Sequence, residues 1–141
     1  MIYLEIMVGF IAIMFIAMFL LGLKSQKGSA PGLVDGRLAP TDSKPNCVSS
    51  EAETQPKKKV AHLEGSLDQA KSAICKTGGI ITTETNDYVA ATYMSKIFKF
   101  VDDVELRDAG DGIVHIRSAS RVGHSDYGTN KKRAASIRAA L

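Results

Sequence analysis

Three signatures of catalysis are missing from this chain. It has no phosphate-binding glycine loop, no dinucleotide-binding glycine fingerprint and no zinc-protease helix. Its three histidines, His62, His115 and His124, are scattered singly. Its two cysteines, Cys47 and Cys75, have no histidine at ligand spacing, so a metal site is not expected. In an oxidising compartment the two thiols can pair; in a reducing one they are ordinary thiols. Basic residues are also missing at the start: the first 23 residues contain no Lys or Arg and one acid, Glu5. A secretory signal carries a basic n-region and a small-x-small cleavage site. Gly28-Ser29-Ala30 is followed at once by Pro31, and Leu20-Leu21-Gly22 is followed by Leu23-Lys24 where a lipidated Cys would stand. An uncleaved segment is expected.

What is present there is an apolar run. Residues 6–23 hold no charged or strongly polar side chain. At about 1.5 Å per residue they reach ~27 Å, close to the ~30 Å hydrocarbon core of a bilayer. A chain of 141 residues forms a domain too small to surround a helix that is apolar on every face. Residues 1–23 therefore read as a transmembrane anchor. Lys24 and Lys27 follow the span and no basic residue precedes it; the positive-inside rule alone would put the rest of the chain in the cytoplasm.

Beyond the anchor lie 18 basic and 14 acidic residues, a mild net +4. Nucleic acid is not an expected partner. Six basic residues from Arg117 onward face Asp126 alone, a balance suited to anionic headgroups or to a solvated helix face. Residues 24–59 hold all four prolines and read as a linker. Residues 60–141 read as one small domain. Ser66-Leu67-Asp68-Gln69 is a capping box, and Leu67, Ala70 and Ile74 form one apolar stripe of a helix over 67–77. Strand-type residues follow at 80–83, 88–93, 97–106 and 113–122, with a turn at 108–112. A last helix is expected to be capped by Thr129 or Asn130, with Ala134, Ile137 and Leu141 on its apolar side. The expected fold class is α+β: an N-terminal transmembrane helix, then an antiparallel sheet of three to four strands covered by two helices.

Three places have the residue types for chemistry. The segment 117–130 runs out of a strand into a helix. Arg117, Ser118, Ser120, Arg121, Asp126 and Asn130 there suit an anion, or a structural cap and salt bridge. Asp102 and Asp103 with Glu105 form an acidic cluster; Asp103 and Glu105 share a strand face and Asp102 takes the other. They could serve a cation or acid–base step, or pair with Arg117 or Arg121 across the sheet. Asn46 and Cys47 stand beside hydroxyls, an arrangement compatible with a nucleophile or a packed thiol.

The motifs Gly32-Leu33-Val34-Asp35-Gly36-Arg37-Leu38-Ala39-Pro40, Pro45-Asn46-Cys47-Val48-Ser49-Ser50, Phe100-Val101-Asp102-Asp103-Val104-Glu105 and Arg117-Ser118-Ala119-Ser120-Arg121-Val122-Gly123, with Asp126, Gly128 and Asn130, resemble domain-of-unknown-function family 1499. The resemblance spans about residues 32–138. It implies a protein of bacterial or plastid lineage, often exported or membrane-attached, with no assigned activity. It also implies that residues 32–50 pack along the domain as an ordered arm. Members often carry a Cys shortly after the Leu-Ala-Pro step; here Thr41 stands in its place, so a pairing of that Cys with the one matching Cys47 is not open to this chain.

The resulting expectation is a membrane-anchored, non-catalytic binding or accessory module of the cell envelope, without a cofactor. Its partners would be membrane lipids through the N-terminal helix and another membrane protein. Single-pass placement in a bacterial inner membrane is expected, with the family's tendency toward export favouring a periplasmic domain over a cytoplasmic one. The competing expectation is a small hydrolase or transferase using Cys47 or Asp103 with Arg121 and His124.

Overall fold

The computed structural model describes residues 1–141. The apolar run forms α1 (Ile2–Gln26), with a mean hydropathy of 2.8 over its most apolar 18 residues, of which 6% are buried. Its side chains, Phe10, Ile13 and Leu20 among them, stand exposed around the helix. Such a helix is long and apolar enough to cross a membrane, and a signal sequence near an N-terminus can meet the same criterion.

After α1 come β1 (Leu33–Val34), β2 (Arg37–Leu38), β3 (Cys47–Ser49) and β4 (Leu63–Glu64). Then follow α2 (Leu67–Lys76), β5 (Ile80–Glu84), β6 (Tyr88–Met94), β7 (Val101–Asp108), β8 (Ile113–Ser120) and α3 (Thr129–Ala139). β1 and β2 make a two-residue hairpin whose Asp35 and Gly36 both have positive φ, the Asp-Gly signature of a type I′ turn. The other six strands form one antiparallel sheet, ordered β3-β8-β7-β6-β5, with β4 also paired to β8. The expected three to four strands are thus corrected to six. β3 and β4 are three and two residues long and lie outside the strand-type runs, and they extend the sheet by pairing with the two ends of β8.

α2 has its expected capping box: Ser66 Oγ accepts from Gln69 N, and Gln69 Oε1 accepts from Ser66 N. It ends in a Schellman turn. Gly78 adopts φ 93°, Gly79 N donates to Ile74 O and Gly78 N donates to Cys75 O. α2 and α3 cover one sheet face. Ile74 and Ile137 bury there against Val89, Val104, Leu106 and Ile116, each fully buried aliphatic chain contributing about 1.5–3 kcal/mol of transfer energy.

The opposite sheet face is covered by the segment read as a linker. Leu38 buries against Tyr88 and Ala90, with Ala30 and Leu33 packed around them. The 97–106 run is split: its first part forms the tip of the β6–β7 hairpin, and β7 begins at Val101.

The end of α1 is built into this assembly. A Cβ on Gly22 would overlap the Phe98 carbonyl, so only glycine permits that approach. Ser25 is buried, and its Oγ accepts from Val101 N at 3.0 Å.

Candidate functional site

Strand alternation sorts the candidate residues onto two faces of the sheet. On the arm side, β7 presents Asp103, Glu105 and Arg107 in a row. Pairing sets Asp103 opposite Ala119, Glu105 opposite Arg117 and Arg107 opposite His115. Arg121, just past β8, clamps Asp103 with two bonds of 2.7 Å, and its Nη1 donates to the Ser25 carbonyl at 3.1 Å. Arg117 Nη1 donates to Glu105 Oε2 at 2.8 Å. Glu105 Oε1 accepts from Tyr88 OH at 2.8 Å and from Gly32 N at 2.9 Å. Arg107 clamps Glu51 at 2.8 and 3.1 Å, while Glu51 also accepts from Leu38 N. Each arginine in this row therefore has a carboxylate, and two of the carboxylates also hold the arm by its backbone. One buried atom, Arg117 Nε, has no partner.

On the helix side the centre is Asn130, which is fully buried. Its Nδ2 donates to Asn46 O, Ser120 Oγ and Asp126 Oδ2, and its Oδ1 accepts from Ser118 Oγ and Arg133 Nη1. Arg133 also donates to Asp102 at 2.8 Å, with its guanidinium over the Tyr93 ring. The expected cap by Thr129 or Asn130 is corrected. Asp126 accepts from Asn130 N at 2.7 Å, and the N-cap position is Gly128 in the left-handed conformation. The Asn130 side chain is spent on joining α3 to β3 and β8, which leaves the capping role to the Asp126 carboxylate before it.

Cys47 lies on β3 at 2% exposure, and both thiols are free. Burial pushes the Cys47 thiol pKa up, against the opposing charge of Arg117. The His115 ring is engaged with Ser50 Oγ at 3.0 Å, and His124 stands in the exposed turn before α3. The ten candidates are thus brought close to β3, β8 and the start of α3 but divided between two faces. Arg121 bonds Asp103, and Asn130 gathers Asn46, Ser118, Ser120 and Asp126, while Arg117 and Asp102 pair with Glu105 and Arg133. Glu51, Arg107, Arg133 and Ser25 belong to the same networks and were not candidates in the sequence. The Glu105–Arg107 alternation carried a signal for Arg107; nothing marked Ser25 or Glu51. No group of three His, Cys, Asp or Glu side chains stands where a metal ion could be held.

Two groups tie stability to acid. Burial holds the His115 pKa below its ordinary 6.5, with Glu51 opposing and Arg107 assisting. Glu51 is raised by burial, but the Arg107 and Leu38 N–H bonds outweigh this and hold it below 4.5. For both groups the unfolded chain binds protons first as pH falls. Stability is therefore expected to be full above pH ~6.5, to fall below that through His115, and to fall again below pH ~4.5 through Glu51. Urea midpoints at pH 8, 6 and 5 measure the first loss; His115→Gln should flatten it. A midpoint unchanged between pH 8 and 5 in the native chain contradicts the assignment.

The fold and its networks define a small α+β domain: an antiparallel sheet with two helices on one face and a pinned arm on the other, joined to an apolar N-terminal helix. The family described as "Protein of unknown function (DUF1499)" matches residues 37–141, and the chain belongs to it. No curated protein and no solved structure matches the chain.

Proposed function

We propose that this chain is a single-pass membrane protein of the bacterial cell envelope whose domain is a non-catalytic binding or accessory module on the periplasmic face. One observation carries the anchor. The last turns of α1 are an integral part of the domain, through Gly22 against Phe98 and Ser25 against Val101 and Arg121. Cleavage near Ala30 would strip the Val101 N–H of its partner and Arg121 of the Ser25 carbonyl. These bonds support a segment that stays with the domain. The non-catalytic reading is supported by the pairing of Arg117, Arg121 and Arg133 with Glu105, Asp103 and Asp102. A partner membrane protein would then be met through the domain's surface rather than through that network.

Cys75 is exposed and Cys47 buried, which supplies a topology reporter without mutation. A membrane-impermeant maleimide applied to intact spheroplasts should label Cys75 alone, on a protein that resists carbonate extraction and retains Met1 by mass spectrometry. A mature N-terminus near residue 31 refutes the anchor. Labelling only after permeabilisation puts the domain in the cytoplasm. Rapid labelling of Cys47 near neutral pH would revive a thiol nucleophile.

A further inference from the structure

The membrane-proximal end of the domain carries apolar side chains that its core does not use. Ile97 is 74% exposed at the tip of the β6–β7 hairpin, and Met94 and Tyr127 are exposed beside the same end. Resting on the reading of α1 as a membrane span, we propose that the hairpin tip, residues 95–100, is a second membrane-inserted element whose occupant surface is the acyl chains around α1. Three observations set its depth. The Phe98 ring lies 5.6 Å from the Phe15 ring, centroid to centroid. Ile97 and Phe98 share an apolar groove with Phe15, Ile16, Phe19 and Leu20. Gln26 Nε2 donates to the Lys99 carbonyl, which holds Lys99 level with the end of α1.

Lys24 ends the apolar run and marks the headgroup level. From there Phe19 lies about 7 Å and Phe15 about 13 Å along the helix axis, at ~1.5 Å per residue. Side chains that pack on Phe15 and Phe19 therefore stand within the hydrocarbon wherever α1 does. The hairpin's charges agree with that depth. Lys96 and Lys99 flank Ile97 and Phe98 in the chain and are exposed, as are Lys24 and Lys27 after the apolar run; long flexible cations of this kind can extend to phosphate headgroups. Tyr127 lines another cleft, shared with Met18, Leu21 and Phe100 and with the polar Asp102, Ser125 and Asp126, a mixed surface of the kind interfacial aromatics occupy. Insertion at two points would fix the tilt of the domain on the membrane.

The test uses the full-length chain in phosphatidylcholine–phosphatidylglycerol vesicles. An environment-sensitive fluorophore is placed on Ile97→Cys in a Cys75→Ser background, where buried Cys47 does not compete. The native Cys75 serves as the aqueous reference and Phe19→Cys as the span reference. Ile97 makes no core contact to lose, so the substitution leaves the fold intact. The label at 97 should be quenched by doxyl lipids, as at 19, and several-fold less by aqueous iodide than at 75. Iodide quenching at 97 equal to that at 75, with 19 still lipid-quenched, overturns the inserted hairpin and leaves the anchor standing. Iodide quenching at both 19 and 97 overturns the anchor and the hairpin together.

Discussion

Arg121→Ala should destabilise the domain by about 3–5 kcal/mol, the range for breaking a buried ion pair from one side. The pair is bidentate, and its two side chains are 12% and 6% exposed. The hydrogen bonds with Asp103 hold the Arg121 pKa above its ordinary value, so the guanidinium keeps its charge throughout the working range. Truncation removes the only cation bonded to Asp103 and leaves its carboxylate buried beneath the arm. It also removes the Arg121 bond to the Ser25 carbonyl at the end of α1, leaving that oxygen only the Gly28 N–H at 3.4 Å. An exposed strand pair would contribute no more than about 0.2–1 kcal/mol and would fade with salt. Urea melts of the full-length protein in detergent, at low and high salt, separate the two cases. A loss below ~1 kcal/mol, with phosphate or carboxylate binding removed in calorimetry, would turn Arg121 into a ligand residue. Arg121→Lys should recover only part of the loss, since an ammonium cannot make the two parallel bonds.

Much of this arrangement was legible in the sequence, for identifiable reasons. α1 follows from a run of apolar residues with no face left polar. The capping box of α2 is a local code, so Ser66 and Gln69 could be read without tertiary context. The Asp103 and Arg121 pairing was within reach because alternation places Asp103 and Glu105 on one face and the last strand brings the arginines beside them. What escaped depends on contacts distant in sequence. β3 is buried at all three residues, so it shows no alternation, and it lies in a stretch whose prolines read as a linker. Ile97, Phe98 and Phe100 look like strand residues because large apolar side chains favour strands, yet they fall in the turn between β6 and β7. Asn130 looked like a cap because helix starts favour Asn; its amide is instead consumed by Asn46, Ser118 and Ser120, one of them 84 positions away. Ser25 sits at the end of an apolar helix, where hydropathy counts it as one more neutral residue.

Glu105 was read in the sequence as sharing a strand face with Asp103 and as a possible partner of Arg117 or Arg121; it is the fully buried member of the row, at 0% exposure. It accepts three bonds, from Arg117, Tyr88 and the Gly32 backbone. Burial, and then the bond to Glu105, hold the Tyr88 hydroxyl pKa well above its ordinary 10. Glu105→Gln keeps the volume and an acceptor oxygen but removes the charge. Its expected cost is still about 3–5 kcal/mol, because the Arg117 guanidinium stays buried with an Nε that already lacks a partner. The arm should loosen at the same point, seen as faster hydrogen exchange at the Gly32 amide. Whether the orphaned cation causes the loss can be read from a double-variant cycle. Arg117→Met removes the cation and leaves an unbranched apolar chain of similar reach. Glu105→Gln with Arg117→Met should therefore be more stable than Glu105→Gln alone by at least ~1 kcal/mol, a coupling normal for contacting residues. If the second substitution only adds its own loss, the guanidinium is not the source of the cost. The weight of Glu105 would then rest on its bonds to Tyr88 and the arm.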